Sequence, residues 1–440
     1  MNNRLRAESG GRLAGRMTVP GDKSISHRAL LLAAIGDGRS QLSGFLEGED
    51  CRATLAALRA LGVQIHANEA GEVTVDGTGM RGLRAADHAL DVGNSGTAMR
   101  LLAGLLSAQH FPSTLTGDES LMRRPMERVA EPLRRMGARI ATTNGGPPIR
   151  IDPADTVIAI DYELPVASAQ VKSAILLAGL YAHGTTRTFC PGMTRDHTER
   201  MLAGVGASID VDVAQGMVAL HGPARLRAAD WNIPGDFSSA AFFVVAGLLA
   251  ADDVLEIRNV GLNPTRIGLL HILRDMGARI DVSNERLVGG EPIGNLIVHR
   301  SELNGVDISA EHVASAIDEF PALFVAAACA AGTTRLRGAG ELRHKETDRL
   351  AVMAAALTGL GIAVQEYPDG MDVAGGRISG GVVDSCGDHR VAMAMAVAAA
   401  GIAGSGSIDV LNTAQVATSF PGFVETAVSV GLRVSQADPD

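Results

Sequence analysis

One phrase recurs six times along this chain, and it constrains the fold more than any other feature. LRALGVQI (58–65) returns as LRRMGARI (133–140), LAGVGASI (202–209) and LRDMGARI (273–280), then more weakly as LTGLGIAV (357–364) and VSVGLRV (428–434). Such self-similarity marks an architecture made by stacking one supersecondary unit. Each copy predicts a helix that stops at a glycine and a short alternating strand that follows. Glycine suits that stop because a left-handed C-terminal cap carries no Cβ penalty there. The glycines are Gly62, Gly137, Gly206, Gly277, Gly361 and Gly431, about 70–84 residues apart.

Apolar, Ala-rich helices lie upstream, as in ALLLAAIGDGRSQLSG (29–44), SAILLAGLYAHGTTRTFCPG (173–192) and LFVAAACAAGTTRLRGAG (323–340). A helix apolar on nearly every face belongs in the interior. The unit reads as strand, helix, strand, helix, strand, which predicts an α/β fold with six repeats. Six repeats in 440 residues suggest two domains of three, in keeping with ~100–200 residues per domain. The stretches at Pro20-Gly21 and Pro234-Gly235 are the expected crossing points. They give one domain from 1–21 plus 235–440 and another from 22–234, so that the N-terminal strand joins the C-terminal half.

Composition excludes several classes of function. Aromatic residues make up only 3% of the chain, which argues against stacking platforms for single-stranded nucleic acid. The net charge of −10 provides no general basic surface for nucleic acid or an anionic membrane. Any anionic ligand must be held by a local cluster of cations. The four cysteines, Cys51, Cys190, Cys329 and Cys386, lie far apart without metal or redox spacing, and buried, inert thiols are the expectation. The N-terminus lacks the hydrophobic stretch of a secretory signal. No apolar run approaches the ~20 residues of a membrane span, and a cytoplasmic location is expected.

Positive charge is carried almost wholly by arginine: three lysines, Lys23, Lys172 and Lys345, stand against 36 arginines. Coding bias is one explanation. The other is chemical, since lysine is a compact point charge on a flexible stem and arginine a planar fork that stays charged. The neighbours favour chemistry. The segments leading into the apolar helices are GDKSISHR (21–28), GNSGTAMR (93–100), ASAQVKS (167–173), PGDFSS (234–239), IDEFP (317–321) and CGDHR (386–390). A helix N-terminus binds anions through its unpaired N–H groups and partial positive charge. N-capping accounts for one polar residue per helix, but not for cations gathered at an end that disfavours them.

ELRHKETDRL (341–350) places Lys345 at the predicted start of a further helix, with Arg349 one turn later on the same face. Like charges so spaced cost ~0.2–0.5 kcal/mol, which Glu346, Asp348 or a bound phosphate or carboxylate would offset. All three lysines are therefore expected to be ligand groups. Asp318-Glu319 leads into an apolar helix and Glu346 lies beside Lys345, giving carboxylates suited to moving protons. Asp388-His389-Arg390 adds an imidazole. SLMRRPMER (120–128) gathers Arg123, Arg124 and Arg128; most such arginines are solvated, but one could pair bidentately with a carboxylate or phosphate. A P-loop does not fit, because Asp22 rather than glycine precedes Lys23-Ser24, and no convincing GxGxxG follows a strand. The expected ligand is a small polyanion gripped from several segments.

Together these motifs resemble the 5-enolpyruvylshikimate-3-phosphate synthase family. PGDKSISHRALLLAA, GNSGTAMRLL, RRPMER, ASAQVKSA, RDHTER, IDEFP, KETDRL, DHR and ATSFPGF run in order from residue 20 to 423. The resemblance implies a two-domain inside-out α/β barrel, with six βαβαββ-like repeats, three per domain, around buried helices and an active site in the interdomain cleft. It implies transfer of the enolpyruvyl group of phosphoenolpyruvate to the 5-hydroxyl of shikimate 3-phosphate with release of phosphate. No metal or organic cofactor is expected, the only partners are the two small substrates, and a monomer is expected. Position by position, Lys23 matches a contact to both substrates, and Ser24 and Arg28 match contacts to shikimate 3-phosphate. Ser168, Ala169 and Gln170 match the strip holding its phosphate, and Arg195 a nearby cation in one subgroup. Gly96, Arg124, Arg349 and Arg390 match the phosphoenolpyruvate site, to which Lys23 and Gln170 also contribute. Asp318 matches the base at the 5-hydroxyl and a shikimate 3-phosphate contact. Lys345 and Glu346 match groups that bind substrate and move protons at the methylene carbon.

The chain departs from part of the family in one place. Thr418-Ser419 stands before Phe420 where some members carry a lysine. Gly96 occupies a position where glyphosate-insensitive members of the matching subgroup often have alanine, so a sensitive or intermediate enzyme is expected. Three other readings stay open. A UDP-N-acetylglucosamine enolpyruvyl transferase would usually carry a reactive cysteine near GDESLMRRPMER (117–128), which has none. A catalytically dead anion binder would not need Asp318 and Glu346. An RNA 3′-phosphate cyclase would need a basic surface.

Overall fold

The computed structural model describes residues 3–68 and 71–437. The repeat is plainest where the chain runs through it without interruption. The strand Leu90–Asp91 leads into a helix, Gly96–Leu106, and a parallel strand, Ser113–Thr116. A second helix, Glu127–Arg135, is followed by the antiparallel pair Arg139–Thr143 and Gly146–Asp152. This βαβαββ order builds one four-stranded sheet, and six such sheets, one of them three-stranded, make up the fold among the described residues.

Six helices sit inside: α1 (Lys23–Ile35), α2 (Gly96–Leu106), α3 (Ala169–Gly179), α4 (Phe237–Ala250), α5 (Phe320–Ala328) and α6 (His389–Ala398). They are buried on almost every face; in α1 only Lys23 escapes full burial. With few aromatic residues to fill space, the helices approach closely through small ones. A Cβ at Gly104 of α2 would lie 2.3 Å from the carbonyl oxygen of Ala174 in α3.

The chain forms two compact units. Unit 1 comprises Met1–Pro20, Pro234–Leu287 and Pro292–Asp440; unit 2 comprises Gly21–Ile233 and Val288–Glu291. Each is an inside-out α/β barrel with three sheets around three buried helices: α4, α5 and α6 in unit 1, and α1, α2 and α3 in unit 2. Strand exchange explains the double passage of the chain. Leu13–Thr18 directly precedes α1 in sequence yet pairs in parallel with Ala251–Gly261, the strand after α4. Trp231–Asn232 precedes α4 yet pairs with Asp37–Ser43, the strand after α1. Arg4–Glu8 lies between Ser407–Leu411 and Arg433–Ala437 and completes the last repeat's sheet.

The six repeated glycines all close helices in the left-handed conformation, with φ of 89, 91, 96, 95, 87 and 94° in chain order. In each, the next residue's N–H returns to a carbonyl five positions back, as in Val63 to Leu58 at 3.1 Å and Ala138 to Leu133 at 3.0 Å. This is the bond of a Schellman cap. The leucine that opens each of the first five phrases is thus both a buried core residue and the acceptor that closes the helix.

Candidate active site

The polar segments singled out in the sequence lie at the N-termini of the buried helices. Asp22, Ser95, Ser168, Asp236 and Asp388 each accept a backbone N–H of the first turn, and Glu319 stands at the start of α5. Side-chain contacts bring the three starts of each unit together. In unit 2, Gln170 of α3 accepts from Arg28 of α1 at 3.3 Å and donates to Thr97 of α2 at 3.2 Å.

Arg28 is the centre of the unit 2 cluster. Its guanidinium is buried and donates to Thr198 Oγ1 (2.6 Å), Ser173 Oγ (2.8 Å), the Ser24 carbonyl (3.0 Å) and Gln170 Oε1 (3.3 Å). All four acceptors are uncharged. Burial pulls its pKa down to about 10 against the opposing pull of Glu199, so the group remains a cation at neutral pH. A buried cation solvated by neutral oxygens is poised to receive an anion. Arg195 reaches the same region, with Nη1 3.5 Å from Ser24 Oγ. Lys23, the first residue of α1, holds Asp50 Oδ2 at 2.7 Å. Ser168 and Ala169 form the N-cap and first residue of α3.

Gly96 begins α2 beneath two guanidinium groups. A Cβ there would lie 2.8 Å from Arg100 Nη1 and 2.9 Å from Arg124 Nη1. Arg100 is fixed in turn by the carbonyls of Gly96 (3.1 Å) and Pro125 (3.2 Å). Arg123 and Arg128, from the same arginine-rich segment, are exposed.

Unit 1 gathers carboxylates with its cations. Asp318 Oδ1 lies 3.4 Å from both Lys345 Nζ and Arg349 Nη1. Arg349 also meets Glu346 Oε2 through Nη2 (2.6 Å) and Asp388 Oδ2 through Nε (2.8 Å). Burial opposes the charge on Arg349, but Asp388, Glu346 and Asp318 outweigh it and hold its pKa above the usual value. Burial likewise opposes the charge on Asp388, and Arg349 and His389 outweigh it and keep that carboxyl below its ordinary range. Arg390 Nη1 donates to the Asp318 carbonyl at 3.1 Å.

Two expectations need correction. Lys172 does not stand open to a ligand: it lies in the first turns of α3, buried in an ion pair with buried Glu199. Nor do Lys345 and Arg349 share a helix face. Lys345 ends a short 3-10 turn, Gly340–His344, and the helix starts only at Arg349, with Asp348 as its N-cap. The two meet through Asp318 instead. The thiols are also less uniform than expected, since Cys386 is exposed. Partial burial and the neighbouring Asp384 and Asp388 raise its pKa, which lowers the share of reactive thiolate.

Several residues escaped the sequence reading. Asp50, Ser173 and Thr198 touch the expected residues directly; Ser173 and Thr198 lie within the quoted segments ASAQVKS and RDHTER, and Asp50 lies outside them. Thr418 and Ser419 are buried, and Thr418 donates to Gln415 Oε1 at 3.0 Å. One group among the described residues, Asp196, His197 and Glu291, brings three possible metal-ligating atoms within 4.8 Å of one another. Here Glu291 holds His197 Nδ1 at 2.7 Å and Asp196 holds Arg200 at 2.8 Å. No helix among the described residues is long and apolar enough to cross a membrane.

The sequence profile of the EPSP synthase (3-phosphoshikimate 1-carboxyvinyltransferase) family matches residues 7–427. The chain is 53% identical over 433 residues to a 3-phosphoshikimate 1-carboxyvinyltransferase of Alkalilimnicola ehrlichii, a match covering 98% of this chain and 96% of that protein. It is 52% identical over 429 residues to one of Methylococcus capsulatus, covering 97% of each. Among solved structures, an EPSP synthase from Acinetobacter baumannii aligns with a TM-score of 0.90 at 47% identity, over 99% of this chain and 100% of that one. The enolpyruvyl transferase NikO from Streptomyces tendae, at 22% identity, aligns with a TM-score of 0.81 over 100% of both chains, a likeness of fold.

Proposed function

The chain belongs to the EPSP synthase family, and from that premise we infer how its two residue clusters divide one reaction. The enzyme transfers the enolpyruvyl group of phosphoenolpyruvate to shikimate 3-phosphate and releases phosphate, a step of the shikimate pathway. The observation that best supports our assignment of roles is the gathering of Asp318, Glu346 and Lys345 around Arg349. Two carboxylates and two cations so gathered suit the proton transfers and charge changes of one reacting centre.

In this reading unit 2 chiefly binds. Arg28, Ser24, Ser168, Ala169, Gln170 and Arg195 hold shikimate 3-phosphate. Lys23, Gly96, Arg124 and Gln170 are assigned to phosphoenolpyruvate, and in unit 1 so are Arg349 and Arg390. Two anionic substrates repel each other, and a surplus of fixed cations offsets that repulsion.

Asp318 takes the proton of the 5-hydroxyl as its oxygen bonds to C2 of phosphoenolpyruvate, while C3 gains a proton from Glu346. In the elimination, C3 returns that proton to Glu346, the bond from C2 to the phosphate oxygen breaks, and phosphate leaves with the proton held on Asp318. Glu346 must therefore enter the addition protonated. Displacement from Arg349 by the substrate's anionic groups would favour that state, because a carboxylate separated from a guanidinium takes up a proton more readily. Lys345 and Lys23 stabilise the phosphate as its charge grows. A core in each unit supports a monomer, and phosphorylated substrates of central metabolism support a cytoplasmic location.

Phosphate release from phosphoenolpyruvate tests the reading, with shikimate 3-phosphate and UDP-N-acetylglucosamine as alternative acceptors. Release only with shikimate 3-phosphate, lost in Asp318→Asn and Glu346→Gln, is the expected result. Release with the nucleotide sugar, or native turnover in both variants, would overturn it.

A further inference from the structure

Two features of unit 1 have no place in the mechanism above: the segment PGDFSS and the second carboxylate of IDEFP. They meet. Glu319 is buried, its side chain 1% exposed, and Oε1 accepts a hydrogen bond from Ser238 Oγ at the start of α4. Arg266 Nη2, from the loop before Gly268–Asp275, lies 3.7 Å from the same oxygen and donates to Ser238 Oγ at 2.7 Å. Arg266 also stands 3.6 Å from Asp236 Oδ1, and Asp236 in turn accepts the Ser238 N–H at 2.7 Å. Arg390 Nη1 approaches Glu319 Oε1 to 3.9 Å while donating to the Asp318 carbonyl at 3.1 Å.

The cluster is balanced, with Asp236 and Glu319 against Arg266 and Arg390. Desolvating such a set is expensive, and an apolar cluster of like volume is often as stable or more so. Its contribution is better sought in geometry. Glu319 is the residue next to Asp318 and the point where α5 begins; its N–H returns to the Ala316 carbonyl at 2.9 Å, and its carbonyl accepts from Leu323 at 3.0 Å. Whatever fixes Glu319 fixes the turn from which Asp318 projects. Arg390 ties that turn to α6, and Ser238 ties it to α4.

We propose that Glu319, clamped by Ser238 and Arg266, is a positioning residue for the reaction, holding the Asp318 turn and Arg390 in register. The proposal rests on the reading of Asp318 as the base and Arg390 as a phosphoenolpyruvate ligand. It accounts for the fourth polar segment, PGDFSS, carrying no cation of its own: its role is to hold another segment's carboxylate.

The experiment compares Ser238→Ala, Glu319→Gln, Glu319→Asp and Asp318→Asn, with kcat and both KM values referred to the folded fraction measured by thermal melting. Displacing a reacting group by about 1 Å costs up to ~100-fold, so Ser238→Ala and Glu319→Gln should lower kcat roughly 10- to 100-fold. KM for shikimate 3-phosphate should move much less. Glu319→Asp keeps the charge but withdraws it by one methylene, and should fare no better than Glu319→Gln. Native kcat in the folded Ser238→Ala and Glu319→Gln enzymes would overturn the proposal, even with lowered melting temperatures, because the cluster would then be structural only. Native kcat in Glu319→Asp would overturn it too, because charge and not position would be what matters. Asp318→Asn separates the two levels. If it retains native kcat, the underlying reading fails and the proposal with it; if it alone collapses, the proposal fails and the reading stands.

Discussion

Gly96 leaves Arg124 the space that any side chain would take: a Cβ there would stand 2.9 Å from Arg124 Nη1. The obstructing atoms are the far ends of two arginines, so the fold can adjust to Gly96→Ala by swinging them aside. Stability should change by no more than about 0.5 kcal/mol. In the proposed assignment, however, the phosphoenolpyruvate site depends on the position of that guanidinium. Weakening one charge-assisted contact by about 1.4 kcal/mol is a factor of ten. Gly96→Ala should therefore raise KM for phosphoenolpyruvate roughly tenfold with kcat nearly unchanged. A steady-state titration of each substrate checks this, and an unchanged KM would mean that Arg124 does not act from its present position.

Lys172 and Glu199 supply a prediction about stability instead of binding. Both side chains are buried, at 5% and 3% exposure. Removing one partner of a buried pair leaves an uncompensated charge and costs ~3–5 kcal/mol. Lys172→Met and Glu199→Gln should each lose about that much in urea unfolding. The double variant should recover a substantial part, since the two effects belong to one interaction. Full additivity of the two losses would show that the pair is not coupled.

That pair also marks how far the sequence could be read. The repeat was legible because helix closure by glycine and burial of an apolar helix both impose local, periodic demands on residue type. The clustering of chemistry at helix starts was legible for the same reason. Lys172 resisted because its partner, Glu199, comes from the next helix, His197–Gly204, and no local pattern announces a buried ion pair. Lys345 and Arg349 were correctly associated for the wrong reason. Their spacing suggested a helix face, whereas Asp318, about thirty residues away, joins them. The grip of Ser173 and Thr198 on Arg28 was invisible, since a hydroxyl in a helix carries no sign of what it will meet. The two Pro-Gly stretches suggested where the chain crosses between domains, but the strand exchange between repeats required three dimensions.

His27 makes the stability of unit 2 depend on pH. It is fully buried in α1, with Nδ1 2.8 Å from Thr54 Oγ1. Burial first, then the charges of Lys23 and Arg28, pull its pKa from 6.5 down to about 3. The unfolded chain therefore binds a proton here between those limits that the folded chain refuses. Stability from this residue is complete above about pH 6.5 and is lost as pH falls toward 3, by up to ~1.4 kcal/mol per pH unit. His27→Gln, which keeps a side-chain hydrogen bond, should flatten the dependence between pH 5 and 7. Chemical denaturation at those two values measures it, and an equally steep dependence in the variant would assign the effect elsewhere.

Arg349 is the residue whose shape matters most. Three of its nitrogens meet three carboxylates, those of Asp388, Asp318 and Glu346, and its side chain is 2% exposed. A lysine presents one compact ammonium and cannot span positions served by a planar fork. Arg349→Lys keeps the charge yet leaves at least one buried carboxylate poorly solvated, at a cost of ~3–5 kcal/mol if its pairing is wholly lost. The best buried of the three, Asp388, should bear most of that cost, because it is also the N-cap of α6. Adding Asp388→Asn to Arg349→Lys removes the stranded charge while keeping a side chain suited to N-capping, and should restore part of the lost stability. It should not restore turnover, since the guanidinium that gathers Asp318 and Glu346 is still missing. Unfolding curves and kcat measured on the two variants separate these effects. Recovery of both together would show that Arg349 acts only as a counter-charge to Asp388.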